Sequence, residues 1–407
     1  MTVFKLTRFE LKKLFARKSF IILFAVMFVV GLVNVVRYYE RYHSGDKLMN
    51  DGRYRIYSVF KGELTEEKQK KIEKLYNYAI ELKNSGNFDN EYNPEKYYSG
   101  YAYGEANLFI ELYSEMNRIL SYGDDITKIG SEGKELIENN SGMNEYLVSL
   151  NNMICDTYGD RELSALSHNS GVAEFLDYKF SVILIAMLLI IGVSSIFMAD
   201  KNYGCRAYLK TSLYGSATTT FAKLMATAFY VFSVLFIFFI TDFICFCGFL
   251  NIDGLDKPLY YLADYFYSPI ELDIWQVLII VFFCRYIGLL CLSFMIALIT
   301  RLLQRSVPSF LLSVFLFAGF MYLMLICTTD SSKLIRMQNP INLILCHNSF
   351  KDFDVINIGG TPVLSCFVSA VAVLSLCLLA VILIILPDIS HISFKKRGDR
   401  YDKAGAV

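Results

Sequence analysis

Chemistry requires polar side chains held together, and in this chain of 407 residues the candidates are few and scattered. The four histidines, His43, His168, His347 and His391, have no His or Cys partner at i+3 or i+4, the spacing that puts two metal ligands on one helix face. Cys245 and Cys247 form a C-x-C inside an apolar run, where helical geometry sets them about 200° apart and argues against a shared metal. Most other cysteines lie in apolar runs, where a free thiol behaves as a small hydrophobe. Cys155 and Cys346 lie outside those runs, with Cys327 at a border, so a Cys155–Cys346 disulfide is one open pairing. No G-x-S-x-G occurs and no nucleophile has a base at a telling distance in sequence. The expectation is a chain with no catalytic residue, no metal and no cofactor of its own.

Two further features carry charge where it is informative. Gly204 to Thr211 has the first glycine, the lysine (Lys210) and the threonine of a phosphate-binding loop, but Leu209 stands where the second glycine belongs. It also follows an apolar run rather than a soluble strand, so nucleotide binding is not expected here. Asp242 and Arg285 fall inside apolar runs, Arg285 about ten residues in. A charge at such depth in a bilayer costs about 2.5–3.5 kcal/mol on insertion scales, so it must face protein or water. The two are read as an ion pair across adjacent helices, as Arg285 paired elsewhere in the bundle, or as part of a transport path.

The elements that position these residues are apolar helices. The chain is 55% hydrophobic, with mean hydropathy +0.40. Its net charge is zero, which gives no electrostatic footprint for nucleic acid. Apolar runs at Phe20–Val36, Phe180–Met198, Phe221–Cys247, Trp275–Thr300, Val307–Cys327 and Pro362–Leu386 are each long enough to span a bilayer. The first 19 residues are a short basic helix pattern. Val3, Phe4, Thr7, Leu11, Leu14 and Phe15 share one face, and Lys5, Arg8, Lys12, Lys13 and Arg17 lie elsewhere. That is the pattern of a helix lying in a membrane surface. The run from 20 to 36 reaches about 25 Å as a helix and has no small-x-small site after it, so it is read as a retained span rather than a cleaved signal peptide.

Basic residues set the orientation. The N-terminal segment, the Asp200–Lys223 loop, the Arg301–Ser306 turn and the tail 387–407 together hold seventeen Lys and Arg against five acids. The short loops at the other end, Gly248–Ile274 and Thr328–Thr361, hold four against eight. Both termini are therefore expected in the cytoplasm, with a multi-pass chain in the plasma membrane and the lipid bilayer as its first partner. Residues 37–177 are polar and tyrosine-rich, with 16 basic and 25 acidic residues and no apolar run that could span. They read as a mainly helical extracytoplasmic domain inserted between the first and second spans. Thr65 followed by Glu66 and Glu67 starts a helix carrying Ile72, Leu75, Tyr76, Ala79 and Ile80 on one side. Glu105–Leu120 and Lys134–Met153 also look helical, with joints at Ser85–Asn93, Gly123–Asp125 and Asn139–Gly142. Ser212–Thr220 suits a turn before the third span. Apolar residues around Asn339-Pro340 suggest that the loop before the last span dips into the interface or re-enters the membrane.

The expected fold is thus an all-α polytopic membrane protein of six spans with an N-terminal amphipathic elbow helix; the five spans after the inserted domain occupy 178–386. This layout resembles the ABC-2 type permease family, the membrane subunits of ABC exporters, in its subgroup with a large extracellular domain. Three stretches carry the resemblance: FKLTRFELKKLFARKSF running into a span, FMADKNYGCRAYLKTSLYGSATTTFAKL after the second span, and NPINLILCHNSFKDFDVINIGGTPV before the last. In the second, Phe197, Asp200, Gly204 and Lys223 occupy the places of the family's F-x-x-[DE]-x-x-x-G segment and its following lysine. The family's arginine shortly before that lysine is replaced by Ser-Ala-Thr-Thr-Thr. The resemblance implies a separate ATP-binding subunit that supplies ATP and Mg, and a second permease chain, identical or different. It further implies that Phe197, Asp200, Gly204, Arg206, Lys210 and Lys223, with Glu10 and Lys13 of the elbow, couple to the ATPase. The implied cargo is a peptide, lipid or amphiphilic drug moved outward. A second reading is a membrane sensor or immunity protein whose acidic domain binds a cationic peptide. A membrane enzyme is a third, without clustered polar residues to support it.

Overall fold

The computed structural model describes all residues except 1–2, 44–46, 87–92, 94, 140–143, 160, 167–169, 203, 205–214, 251–253, 328, 330–331 and 405–407; of 41–43, 47–50, 137–139, 170, 202, 215, 250 and 389–404 it describes the backbone only. Six of its helices are long and apolar enough to cross a membrane. They are α2 (Lys18–His43), α8 (Phe180–Asn202), α9 (Gly215–Leu250), α10 (Ile274–Leu303), α11 (Ser306–Ile326) and α14 (Ser365–Ala404). A short amphipathic α1 (Val3–Phe15) precedes them. The α8 span begins early, at Gly171 in α7 (Ser170–Asp177). The chain is therefore built as a multi-pass membrane protein, mostly helical. Its apolar core is made chiefly by α8 and α10, with Leu188, Val193, Val281, Leu289 and Ile296 fully buried. The faces of α2, α11 and α14 remain largely uncovered, as lipid-facing helices require.

The third span starts six residues earlier than expected. Ser216–Thr220 are the first turns of α9, because they pack on α10 and α14 rather than turn in solvent. The last span continues through Pro387 to Ala404 as one helix.

The segment before the last span does fold back into the bundle. Helices α12 (Lys333–Met337) and α13 (Pro340–Ile344) are joined at Asn339, whose side chain caps the Ile341 N–H at 3.0 Å with Pro340 in the first turn. All five residues of α13 are buried. The approach to α10 is close enough that a Cβ at Gly288 would lie 2.6 Å from Ile344 Cγ1 and 2.8 Å from the Pro340 carbonyl oxygen. Polar side chains tie the segment down: Asn339 donates to the Phe320 carbonyl at 2.8 Å, Asn342 to Ser369 Oγ at 3.1 Å, and Ser369 to the Met337 carbonyl at 3.0 Å. A hairpin follows, β3 (Val355–Ile358) and β4 (Thr361–Leu364), turning on Gly359 and Gly360, whose φ angles of 62° and 91° suit a two-residue type I′ loop.

Between α2 and α7 the inserted domain has a core of its own. It contains α3 (Lys47–Phe60), α4 (Glu66–Ser85), α5 (Ala102–Asn139) and α6 (Glu145–Tyr158), and an antiparallel pair of two-residue strands, β1 (Gly62–Glu63) and β2 (Ala165–Leu166). Thr65 caps α4 through the Lys68 N–H, and Ile72 and Ala79 are its buried face. The joint expected at Gly123–Asp125 does not exist: α5 runs through it. Tyr122 and Ile126, on either side, are both buried in the core, and that packing outweighs the weak helix propensity of Gly-Asp-Asp.

The domain does not close on itself. Tyr260, from the loop between α9 and α10, completes its core, stacking on Tyr122 with ring centroids 5.6 Å apart. Arg161 locks the contact. Its guanidinium lies between the Tyr158 and Tyr260 rings, 4.9 and 5.0 Å from their centroids. It donates to the Ser268 carbonyl at 2.6 Å and to Glu271 at 3.1 Å. The sequence boundary at 177 therefore omits the loop that finishes the domain.

Candidate functional site

The residues singled out by resemblance converge at the bundle end that carries α1. Asp200, in the last turn of α8, receives Lys223 of α9 at 2.6 Å and Lys13 of α1 at 3.6 Å. Lys13 also holds Glu10 at 2.7 Å, one turn back on α1. Lys223 lies over the Phe197 ring, 5.8 Å from its centroid. Arg17, just after α1, hydrogen-bonds Ser195 of α8. Phe197, Asp200, Lys223, Glu10 and Lys13 thus form one node joining α1, α8 and α9. Gly204 stands just past α8 with φ +69°, a left-handed turn that favours glycine. Arg206 and Lys210 lie outside the described residues.

Helix α1 turns one edge of its apolar face to the bundle and leaves the other edge uncovered. Thr7, Glu10 and Leu14 are buried, whereas Phe4 is 72% and Phe15 is 43% exposed. The reason is the Asp200 node: packing on α8 and α9 selects the edge that brings Lys13 to Asp200, and Glu10 is buried with it.

A second acid-centred node lies beside the first. Asp388 of α14 accepts from Arg301 of α10 at 2.8 Å and from Ser216 of α9 at 2.6 Å. Arg301 also reaches Thr220 Oγ1 at 3.1 Å. Lys201 donates to the Gln304 carbonyl at 2.6 Å, and Gln304 itself sits in the left-handed region with φ 51°. A cavity of about 380 Å³ separates the nodes. Sequence reading counted Arg301 and Asp388 only as loop charges. The available signal was an aspartate closing an apolar run at an end where bases far outnumber acids.

The two intramembrane charges do not pair directly; Arg285 is bonded elsewhere in the bundle. Arg285 is buried, donates to the Leu176 carbonyl at 3.1 Å and lies over Phe239, 5.7 Å from the ring centroid. Asp242 is buried near Ser181, within electrostatic range of Arg285 but not bonded to it. The backbone break between α7 and α8 supplies the carbonyl that competes for the guanidinium. Cys155 and Cys346 are free thiols in separate places, Cys155 against the Gly130 carbonyl at 3.2 Å and Cys346 in the bundle core. No group of His, Cys, Asp and Glu among the described residues is arranged to hold a metal ion.

Comparison of the chain with protein-family models, with curated proteins and with solved structures finds no match.

Proposed function

We propose that this chain is the permease subunit of an ATP-driven exporter of the ABC-2 type, working with a separate ATP-binding subunit and a second permease chain. In this reading the termini are cytoplasmic, the inserted domain is extracytoplasmic, α1 is the elbow helix, and ATP and Mg are bound by the partner. The observation that supports it most is the Asp200 node. A partner pushing on α1 or on the basic loop after α8 would act on Lys13, Asp200 and Lys223 together. The motion would pass into α8 and α9 without an intervening flexible link. A two-state bundle needs such a lever if an event on another chain is to bias it. The cargo class, a peptide, lipid or amphiphilic drug moved outward, rests on the resemblance alone.

The test is purification of the full chain from its own cells in mild detergent, with mass spectrometry of what accompanies it. A stoichiometric soluble ATPase carrying a P-loop is expected, and its recovery should fall when Arg206 and Lys210 are both replaced by Ala. Absence of any ATPase across several detergents overturns the reading and favours a sensor that binds a cationic peptide through the inserted domain.

A further inference from the structure

The cavity between the two acid-centred nodes has a depth, a wall and an unmet hydrogen bond. Its polar lining stands where the apolar runs end: Lys201 closes Gly171–Lys201, Ser216 opens Ser216–Phe249, Arg301 is in the last turn of Ile274–Leu303, and Asp388 closes Ser365–Asp388. Ends of spans lie at head-group level in a bilayer. The paired Asp200 and Lys223 also line it, with Thr219, Thr220, Thr300 and Gln304, and Phe197, Leu298 and Leu383 belong to its apolar part. At about 380 Å³ the space falls within the range of small-ligand sites.

Asp388 is more than nine-tenths buried, and its two oxygens are treated unequally. Oδ1 accepts from Arg301 and Ser216, while Oδ2 is buried with no hydrogen-bond partner. An orphaned carboxylate oxygen is costly, and only a donor relieves it. On the same cavity Lys201 spends one bond on Gln304, and Arg301 spends its bonds on Asp388 and Thr220. An ammonium has three donors and a guanidinium five, so cationic donors remain for an anionic oxygen.

We propose that this cavity binds the head group of an ethanolamine-type phospholipid. The primary ammonium donates to Asp388 Oδ2, the phosphodiester accepts from Lys201 and Arg301, and the acyl chains leave along Leu298 and Leu383. Inorganic phosphate brings no cationic donor to Oδ2. A choline head group brings no N–H to it. The inference needs only the membrane-spanning architecture and stands apart from the exporter reading.

The probe is a methylation series. Full-length protein is delipidated and placed in nanodiscs whose lipids share acyl chains and differ only as ethanolamine, N-methyl, N,N-dimethyl and choline head groups. Thermal midpoint and lipid retained per chain, by native mass spectrometry, are read for each. Stability and retention should fall along the series, with the largest drop at choline, where the last N–H is lost. In Asp388→Asn the dependence should collapse. Lys201→Gln, at an exposed position, should fold normally and retain about tenfold less ethanolamine lipid, as the loss of one charge-assisted hydrogen bond implies. A flat series in the natural protein overturns the proposal. So does a slope that persists in Asp388→Asn, since the bilayer rather than the site then sets it. Full retention by Lys201→Gln overturns the phosphodiester contact.

Discussion

Asp200 and Lys223 meet at 2.6 Å with side chains only 14% and 5% exposed, so the contact between α8 and α9 is a nearly dry ion pair. Desolvation has already been incurred for both charges, and removing one partner leaves the other buried and uncompensated. Asp200→Ala should therefore destabilise the protein by about 3 kcal/mol, and Lys223→Met should act similarly. The double variant should recover much of that loss, because no stranded charge remains. Thermal unfolding in one detergent decides the matter. Additive losses in the double variant would mean that the two side chains act separately.

Gly288 gives a steric prediction with a built-in control. A methyl group there would collide with Ile344 and with the Pro340 carbonyl, which is backbone and cannot swing away. Gly288→Ala should cost about 1–3 kcal/mol and loosen the segment Lys333–Phe350. Gly319, on α11, meets nothing within 4 Å, so Gly319→Ala should be neutral or slightly stabilising through helix propensity. Accessibility of Cys346 to a thiol reagent reports the loosening. Equal reactivity in both variants would remove the close approach as the cause.

The spans were legible because burial in lipid leaves a one-dimensional record, an unbroken apolar run, and five of the six end within three residues of the expected places. The dip around Asn339-Pro340 was legible for the same reason. Tertiary exchanges were not. That Arg285 needs a partner was legible, but which partner was not: the Leu176 carbonyl, near the backbone break before α8, takes the bond that Asp242 could have taken, and no pattern in sequence announces it. Tyr260 joins a domain that ends some eighty residues earlier in the chain, because an aromatic side chain finds its stack in space. The Asp200 node emerged through family resemblance. The Asp388 node was missed because its four residues come from three helices and match no spacing.

Arg161 is the pin between the inserted domain and the loop 254–273. Three kinds of contact converge on it: two flanking rings, a carbonyl and a carboxylate. Arg161→Ala should speed amide exchange in residues 259–271 by about tenfold or more, as the loss of charge-assisted hydrogen bonds implies, while exchange in α10 stays unchanged. Arg161→Lys should restore little, since a lysine has neither the planar fork nor the stacking face. Hydrogen exchange with mass spectrometry separates the outcomes. Unchanged protection in the alanine variant would show that Tyr260 stacking alone holds the loop.

Glu105 gives the inserted domain a pH response of known sign. It is buried in the first turn of α5, with its carboxylate accepting the Tyr98 N–H, and burial raises its pKa above the usual 4.5. In the window between that value and the raised one, the folded state binds more protons than the unfolded. Stability from this group is thus full below about pH 4.5 and is lost as pH rises through the raised value. Glu105→Gln keeps one oxygen to accept from Tyr98 and has no proton to lose. The midpoint of the natural protein minus that of the variant should become less favourable from pH 5 to pH 8. The difference cancels titrations shared by both proteins. A difference that stays flat, or rises with pH, would mean that the backbone donors outweigh the burial of Glu105.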